Sequence, residues 1–144
     1  MTGTVTAGRH RLAALLLSAV LASCSSDSLT APTSAAQLDG TWRLFQMTSG
    51  DGVHNEDLTA GRFNVVISGS TLTAKADCNS CSGTSTLSGA TLTIGPLGCT
   101  FALCASESIA SRFTGLLTGA LTVRVNDRLL QLNDAQGGEL RFEK

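Results

Sequence analysis

The sequence predicts a mainly β protein, a small antiparallel eight-stranded barrel with one helix. Three observations support this fold class. Apolar and polar residues alternate with a period of two in eight short segments, as in strands that bury one face. Tight turn signals separate these segments, and a single other segment has helical spacing. Closing an antiparallel sheet of this kind into a barrel leaves no exposed edge strand.

The predicted strands follow the alternation of apolar residues. In the first strand, Trp42 and Leu44 fall on one face. Gly69-Ser70 joins the second and third strands, with glycine first as a type II′ turn prefers, and Ser88-Gly89-Ala90 joins the fourth and fifth. A turn at Asp39-Gly40 precedes the first strand, and the predicted strands cover residues 41–47, 62–68, 71–76, 84–87, 91–94, 120–125, 128–133 and 139–143.

One helix is predicted, from Ser106 to Leu117. Its apolar residues recur at i, i+4, i+7 and i+8, which places them on one face. Ser106 is the predicted N-cap, Glu107 suits the positive end of the helix dipole, and Gly119 ends the helix. The apolar stripe consists of Ile109, Phe113, Leu116 and Leu117.

The first 23 residues are predicted to be a lipoprotein signal peptide. Arg9 and Arg11 lie in a basic n-region, and residues 12–22 form an apolar run too short to span a bilayer. Leu21-Ala22-Ser23-Cys24 resembles a bacterial lipobox, so Cys24 is the predicted lipidation site. Residues 24–37 are small and polar and are predicted to be a flexible tether to a folded domain at 38–144.

Charge and export narrow the choice of partners. Cleavage before Cys24 removes two of the ten basic residues and none of the eleven acidic ones, which leaves a net charge of −3. No basic face is available for nucleic acid, so no nucleic-acid partner is predicted. The predicted membrane partner is the lipid bilayer, reached through acyl chains on Cys24.

Four cysteines lie between Asp77 and Cys104, in a C-x2-C pair and a C-x4-C pair. The spacing alone allows a zinc site or two disulfides. Disulfides persist outside the cytoplasm, and once Cys24 carries lipid an even number of cysteines remains. We therefore expect two disulfides and no metal, although four cysteines allow three connectivities.

No catalytic group is predicted. His54, in a polar loop among acidic residues, is the one imidazole of the mature chain and reads as a solvated side chain. There is no nucleophile elbow, no paired-carboxylate pattern and no phosphate-binding glycine loop. The sequence thus predicts a protein that is not an enzyme and needs no cofactor. A redox role for the cysteine cluster is the third-ranked hypothesis.

Several segments resemble the META/HslJ family of small bacterial lipoproteins and secreted proteins. Residues 38–44 match the L-x-G-T-W-x-L opening of that family. Cys78-Asn79 with Gly83 matches its G-C-N-x-x-x-G segment, and Thr100 and Cys104 match the ends of T-x-M-A-C. The closing L-x-L…G…L-x-F pattern matches Leu130, Leu132, Gly138, Leu140 and Phe142.

The resemblance implies a compact barrel with the helix closing one end. It also implies a cysteine pairing, because the two family-matching cysteines would be neighbours in such a barrel. We therefore expect Cys78–Cys104, with the additional Cys81 and Cys99 as the second pair. The local alternative pairs Cys78 with Cys81 and Cys99 with Cys104. Asp77 departs from the glycine usual in the family, and Ala102-Leu103 from its M-A.

The expected function is that of a lipid-anchored, non-enzymatic envelope protein. Members of the family are tied to envelope stress, drug tolerance or motility, so we expect binding or scaffolding of an envelope protein. Ser25 after Cys24, where aspartate is absent, resembles outer-membrane sorting, on the periplasmic side. The alternative is a lipocalin-like carrier of a small apolar ligand, whose identity is unknown. It needs an empty lumen and fails if the interior is filled by Trp42, Phe63, Ile67, Val123 and Phe142.

Overall fold

A computed structural model describes residues 1–4, 28–52, 54–56 by their backbone only, 58, 61–105 and 108–144. The described chain contains a short 3₁₀ helix at Ala35–Leu38, one α-helix, α1, at Ala110–Leu117, and ten strands. The strands are β1 (Gly40–Thr48), β2 (His54–Glu56), β3 (Phe63–Ser68), β4 (Thr71–Ala76), β5 (Asn79–Ser88), β6 (Thr91–Ile94), β7 (Gly98–Cys99), β8 (Gly119–Val125), β9 (Leu129–Asn133) and β10 (Glu139–Glu143).

Eight of these strands form a closed antiparallel barrel. Each pairs with its neighbour in the order β1, β3, β4, β5, β6, β8, β9, β10, and β10 returns to pair with β1. Leu44 opposite Phe142 and Met47 opposite Leu140 set the register of that closing pair. The predicted eight-stranded antiparallel barrel with one helix is confirmed, and each of the eight predicted segments overlaps one barrel strand.

The turn at Gly69-Ser70 has the positive φ expected of its first residue. Ser68 pairs with Thr71 across a two-residue turn whose first residue, Gly69, has φ +57°. Gly89 has the same φ in the turn between β5 and β6. A positive φ at the first turn position favours glycine, because a Cβ would clash with the following carbonyl.

Two short strands and the start of β5 were not predicted from the sequence. β2 pairs with the end of β1, and β7 pairs with Cys81 and Ser82 of β5. At three and two residues they are too short to show an alternating pattern. β5 begins at Asn79, before the predicted 84, and its small polar residues obscure the alternation of which Cys81 is the buried member.

The interior of the barrel is filled with apolar side chains. Phe113 of α1 packs edge-on between Phe63 and Phe142, with ring centroids 5.3 and 6.4 Å away. The five side chains that were to decide the carrier hypothesis are all at most 4% exposed, and they belong to one contiguous core. The lipocalin-like carrier hypothesis required an empty lumen, so its criterion is contradicted. These five are Trp42, Phe63, Ile67, Val123 and Phe142.

Helix α1 closes one end of the barrel but begins later than predicted. Its N-cap residue is Ile109, and the predicted cap residues Ser106 and Glu107 lie outside the described residues. The amide of Ser108 donates to the carbonyl of Ala105 at 2.9 Å. Two residues of the predicted apolar stripe, Phe113 and Leu117, are buried, as the spacing predicted.

The other end of the barrel is closed by residues that precede β1. The indole Nε1 of Trp42 donates to the carbonyl of Leu38 at 2.7 Å, at the end of the 3₁₀ helix. Thr30 exchanges two backbone hydrogen bonds with Val125, and Pro32 is buried. Thr30, Pro32 and Leu38, at the C-terminal side of the predicted tether and at the start of the predicted domain, thus contact the barrel.

Cys24 and all but the first four residues of the predicted signal peptide lie outside the described residues. Within the described ranges, no helix combines the length and the apolar character needed to cross a membrane.

The turn between β4 and β5 depends on an aspartate in a left-handed conformation. Asp77 has φ +59°, and in the described part of the chain no other non-glycine residue has a positive φ. Its amide donates to the carbonyl of Arg62, and its Oδ1 accepts a hydrogen bond from Arg62 Nε, both at 2.8 Å. Aspartate tolerates this conformation better than most residues. The ion pair thus offers a reason for aspartate at a position where the family usually has glycine.

The environment of Asp77 favours its charged form. The Arg62 guanidinium donates to the carboxylate and holds the pKa of Asp77 below its ordinary value, and the nearby Ser108 hydroxyl acts in the same direction. Burial opposes this shift. The other carboxylate oxygen of Asp77, Oδ2, is buried without a hydrogen bond of good geometry. The contact of Oδ1 with Arg62 is therefore the dominant cause of the lowered pKa.

We predict that Asp77→Asn makes the thermal stability of the fold less dependent on pH in the acidic range. Because the pKa of Asp77 is lowered on folding, its contribution is present above the unfolded value of 3.8 and is lost as pH falls through the folded value. Circular dichroism melts between neutral pH and about pH 2 should show wild type melting above Asp77→Asn, with the difference vanishing at the acid end. Asp127→Asn removes an exposed carboxylate as a control. A difference that stays constant with pH would contradict the prediction.

Candidate functional site

The candidate site lies at the end of the barrel that α1 closes. Here residues 98–105, which we call the clamped loop, run from β7 towards α1. Two disulfides hold this loop to the start of β5: Cys78 bonds Cys104, and Cys81 bonds Cys99. The Cα atoms are 5.5 Å apart in the first pair and 4.0 Å apart in the second. The structure thus has the pairing that the resemblance implied.

The sheet places each cysteine for its partner. The two-residue turn after β4 brings Cys78 to the barrel end, directly before Asn79. Cys81 faces the core, and the pairing of β5 with β7 sets it opposite Cys99 in register. Each sulfur is bonded to another sulfur and so is not a zinc-binding thiolate. Among the residues whose placement is described, no three histidine, cysteine or acidic side chains form a metal-binding group.

Asn79 ties the clamped loop to the barrel by hydrogen bonds. Its Oδ1 accepts from the amide of Ala102 at 2.7 Å and from the hydroxyl of Thr100 at 3.1 Å. Its Nδ2 donates to the carbonyl of Ala102 at 3.1 Å. One side-chain amide therefore satisfies both backbone groups of Ala102, which explains why a residue with both donor and acceptor suits this position.

Thr100 adds a second set of contacts. Its amide donates to the carbonyl of Ser80 at 2.9 Å, and its hydroxyl oxygen accepts from the amide of Ser80 at 3.0 Å. The clamped loop therefore continues the backbone pairing of β7 past Cys99, with a side chain taking one of the backbone roles. Neither Asn79 nor Gly83 has a positive φ, so left-handed backbone geometry does not explain either residue here.

Gly83 instead allows a close approach of two segments. A Cβ at this position would lie 2.9 Å from Cδ2 of Leu97 and 3.0 Å from the carbonyl oxygen of Pro96. The chain between β6 and β7 crosses β5 at this point, and a larger residue would push it away. Gly83 therefore helps to set the position from which β7 and the clamped loop begin.

Two large apolar side chains project from the clamped loop into solvent. Phe101 is 98% exposed and Leu103 is 96% exposed. Apart from Met1, no other large hydrophobic residue of the described chain is exposed to this extent. Isolated exposed apolar residues are common, but two of them on a cross-linked loop form a patch of the kind found at binding sites.

A cleft of about 330 Å³ lies between the clamped loop and α1. Phe101 and Leu103 line it together with the Cys81–Cys99 disulfide. The rest of the described lining is the carboxamide of Asn79, Cys104 of the other disulfide, and small or hydroxyl-bearing residues, and no described charged side chain lines the cleft. The small or hydroxyl-bearing residues include Ala76, Ala102, Ala110, Ser108, Ser111 and Thr114.

Other residues that the sequence offered as candidate chemical groups are not among the described residues of this site. The side chain of His54 lies outside the described residues. Asp77 is engaged with Arg62 in the turn before β5. Phe101 and Leu103 were not singled out from the sequence. The available signal was a pair of bulky apolar residues between Cys99 and Cys104, where no strand or helix period buries them.

We predict that Asn79→Ala loosens the clamped loop without unfolding the barrel. Ala102 loses both hydrogen-bond partners, so its amide should exchange with solvent about tenfold faster or more, as expected for a net loss of roughly 1.4 kcal/mol. Hydrogen exchange with mass spectrometry would measure it. Asn79→Asp, which keeps the acceptor for the Ala102 amide, should give a smaller effect. Unchanged exchange in Asn79→Ala would show that the disulfides alone hold the loop.

We also predict that the disulfides carry much of the stability of the fold. The Cys78–Cys104 bond joins residues separated by 26 positions, and closing a loop of that size contributes about 3.5 kcal/mol in the chain-entropy model. Urea unfolding of the Cys78→Ala/Cys104→Ala variant should therefore shift to lower denaturant. Reductant should shift wild type but not a variant with all four cysteines replaced by alanine. Wild type unaffected by reductant would contradict the predicted contribution of the disulfides to stability.

The fold is shared with solved structures. An NMR structure of a protein from Burkholderia xenovorans is 21% identical, covers 95% of this chain and 97% of its own, and has a TM-score of 0.66. A second NMR structure is 19% identical, with 78% and 95% covered and a TM-score of 0.57. A lipocalin-like protein from Bacteroides uniformis is 21% identical, with 75% and 98% covered and a TM-score of 0.52. At these identities the similarity shows the fold alone.

Comparison with curated proteins finds no match. The comparison with family models is decisive, because the META domain model matches residues 35–144, the whole barrel together with its 3₁₀ helix. The resemblance seen in the sequence motifs is confirmed by this match. The chain belongs to the META domain family.

Proposed function

We propose that this protein is a non-enzymatic binding protein of the cell envelope, anchored to a membrane by acyl chains on Cys24. The observation that carries the binding role is the display of Phe101 and Leu103, both almost fully exposed, on a loop that two disulfides and Asn79 hold in place. Exposed apolar side chains on a rigid support lose little conformational freedom on binding, so they are suited to anchor a partner.

The filled interior supports an external binding surface. Because aromatic and aliphatic side chains occupy the barrel from α1 to the 3₁₀ helix, a partner meets the outside of the molecule. The described lining of the cleft beside the clamped loop offers alanines, hydroxyls, the Asn79 carboxamide and disulfide sulfurs. These groups can contact a bound partner, and none of them titrates near neutral pH.

The anchoring role is supported by the order of features in the first 24 residues: basic residues, an apolar run and Leu21-Ala22-Ser23-Cys24. Two or more acyl chains hold a protein on a bilayer stably. An exported chain is also one in which two disulfides persist. We assign the protein to the periplasmic side of the outer membrane, with a role in envelope maintenance or in tolerance of stress or drugs.

We predict that wild type is recovered in the membrane fraction with Cys24 as an acylated N-terminus. Mass spectrometry of non-reduced peptides from that fraction would report the acyl group and both disulfides together. Cys24→Ser removes the sulfur that carries the lipid, so the variant should keep both disulfides and stay out of the acylated pool. Recovery of wild type with unmodified Cys24 would refute the anchor and leave the binding surface untouched.

A further inference from the structure

We propose that the cleft between the clamped loop and α1 binds an uncharged, apolar polypeptide segment of another envelope protein, on the end of the barrel that faces away from the lipid anchor. This inference rests on the proposed function and gives it a site, a chemical class of partner and an orientation. Three observations carry it: the chemistry of the cleft, the area of its apolar rim and the position of the tether.

The chemistry of the cleft selects an uncharged guest. Phe101 and Leu103 form its apolar rim, and the described lining carries no charge. A charged side chain entering it would lose water without gaining an opposite charge from the described lining, which is unfavourable. The hydroxyls of Ser111 and Thr114 on α1 border the space, and Thr114 already donates to the carbonyl of Ala110 at 3.1 Å. At about 330 Å³, the cleft has room for one bulky apolar side chain or two small ones.

The area of the rim argues against a stable pair of identical chains. A phenylalanine contributes about 150–250 Å² when it is buried. Even with Leu103 beside it, Phe101 supplies well under the roughly 800 Å² per partner of a stable interface. The rim is therefore matched to a short segment in which a few apolar anchors dominate the affinity, as in hot-spot recognition.

The tether argues against the anchoring membrane as the occupant. Thr30 is bonded to Val125, at the end of β8 opposite to Gly119, where β8 leaves α1. The seven residues of β8 rise roughly 20 Å between these two ends. Cys24 lies six residues before Thr30, so this stretch reaches about 20 Å at most and keeps the Thr30 end within that distance of the bilayer. The proposed orientation has the clamped loop at the far end, and an inverted barrel would need the whole stretch to be fully extended.

The principal test uses the acylated mature chain, purified in detergent, against a phage-displayed library of random peptides. We expect enrichment of uncharged peptides with bulky apolar residues. Phe101→Ser and Leu103→Ser should each weaken binding of the enriched peptides by about tenfold or more. Ala105→Ser, which adds a hydroxyl to the same loop outside the cleft lining, should bind as wild type. Because both anchors are exposed, the variants should retain the wild-type circular dichroism spectrum.

Three results would overturn the proposal in this assay. They are the absence of any enriched peptide, enrichment of charged peptides, or binding that Phe101→Ser and Leu103→Ser leave unchanged. None depends on the anchor, since the assay is made in detergent and can be repeated with Cys24→Ser. Failure of docking is thereby separated from failure of the anchoring proposal, which the acylation measurement decides.

Two further measurements address the other occupants. In vesicles with brominated lipids, Phe101→Trp should show no more fluorescence quenching than wild type, whose one tryptophan, Trp42, is buried. Additional quenching would place the clamped loop in the bilayer. Sedimentation in detergent should show a monomer at concentrations where the peptides bind. A dimer that Phe101→Ser abolishes would make a second copy the occupant. Either result overturns the assignment to an envelope protein.

Discussion

The constraint on which the candidate site depends is the double covalent connection between the start of β5 and the chain that leads into α1. Cys78–Cys104 and Cys81–Cys99 are nested, so they fix both ends of the clamped loop, and Asn79 holds its middle. Without this fixation Phe101 and Leu103 would be driven to collapse onto nearby apolar surface. The cross-links keep two apolar side chains in water, where they can meet a partner.

The barrel gives this loop a rigid and directional support. Its interior is packed around Trp42, Phe113 and Phe142, so it cannot deform to take up the exposed side chains. Its two ends are closed by different elements, α1 at one and the 3₁₀ helix with Thr30 at the other. The proposed anchor and the proposed binding surface therefore belong to opposite ends of one stiff body.

Asp77 shows how a local departure from a family pattern is accommodated. The turn between β4 and β5 has a positive φ at this position, which glycine adopts without strain. Aspartate takes the same conformation, and its carboxylate gains Arg62 as a partner. Aspartate adopts this conformation less readily than glycine, but it forms an ion pair with Arg62 directly before Cys78. The ion pair connects the residue before the first cysteine of the cluster to the turn that precedes β3.

Much of the fold could be predicted from the sequence because the information was local. Alternation at Trp42 and Leu44, and turns such as Gly69-Ser70, depend only on neighbouring residues. The predicted boundaries failed where long-range contacts decided them. β7 is defined by its pairing with Cys81 and Ser82 of β5, and Thr30 lies against the barrel through its pairing with Val125.

The candidate site divides in the same way. The sequence by itself determined that four cysteines cluster, that an exported chain would oxidise them, and that the family pattern pairs Cys78 with Cys104. Only the tertiary structure decided that the residues between them stay outside the core, because the hydrogen bonds of Asn79 and Thr100 turn the backbone so that Phe101 and Leu103 face solvent. Hydrophobicity along a chain indicates which residues can be buried, whereas covalent and hydrogen-bonded constraints between distant residues determine which of them are not.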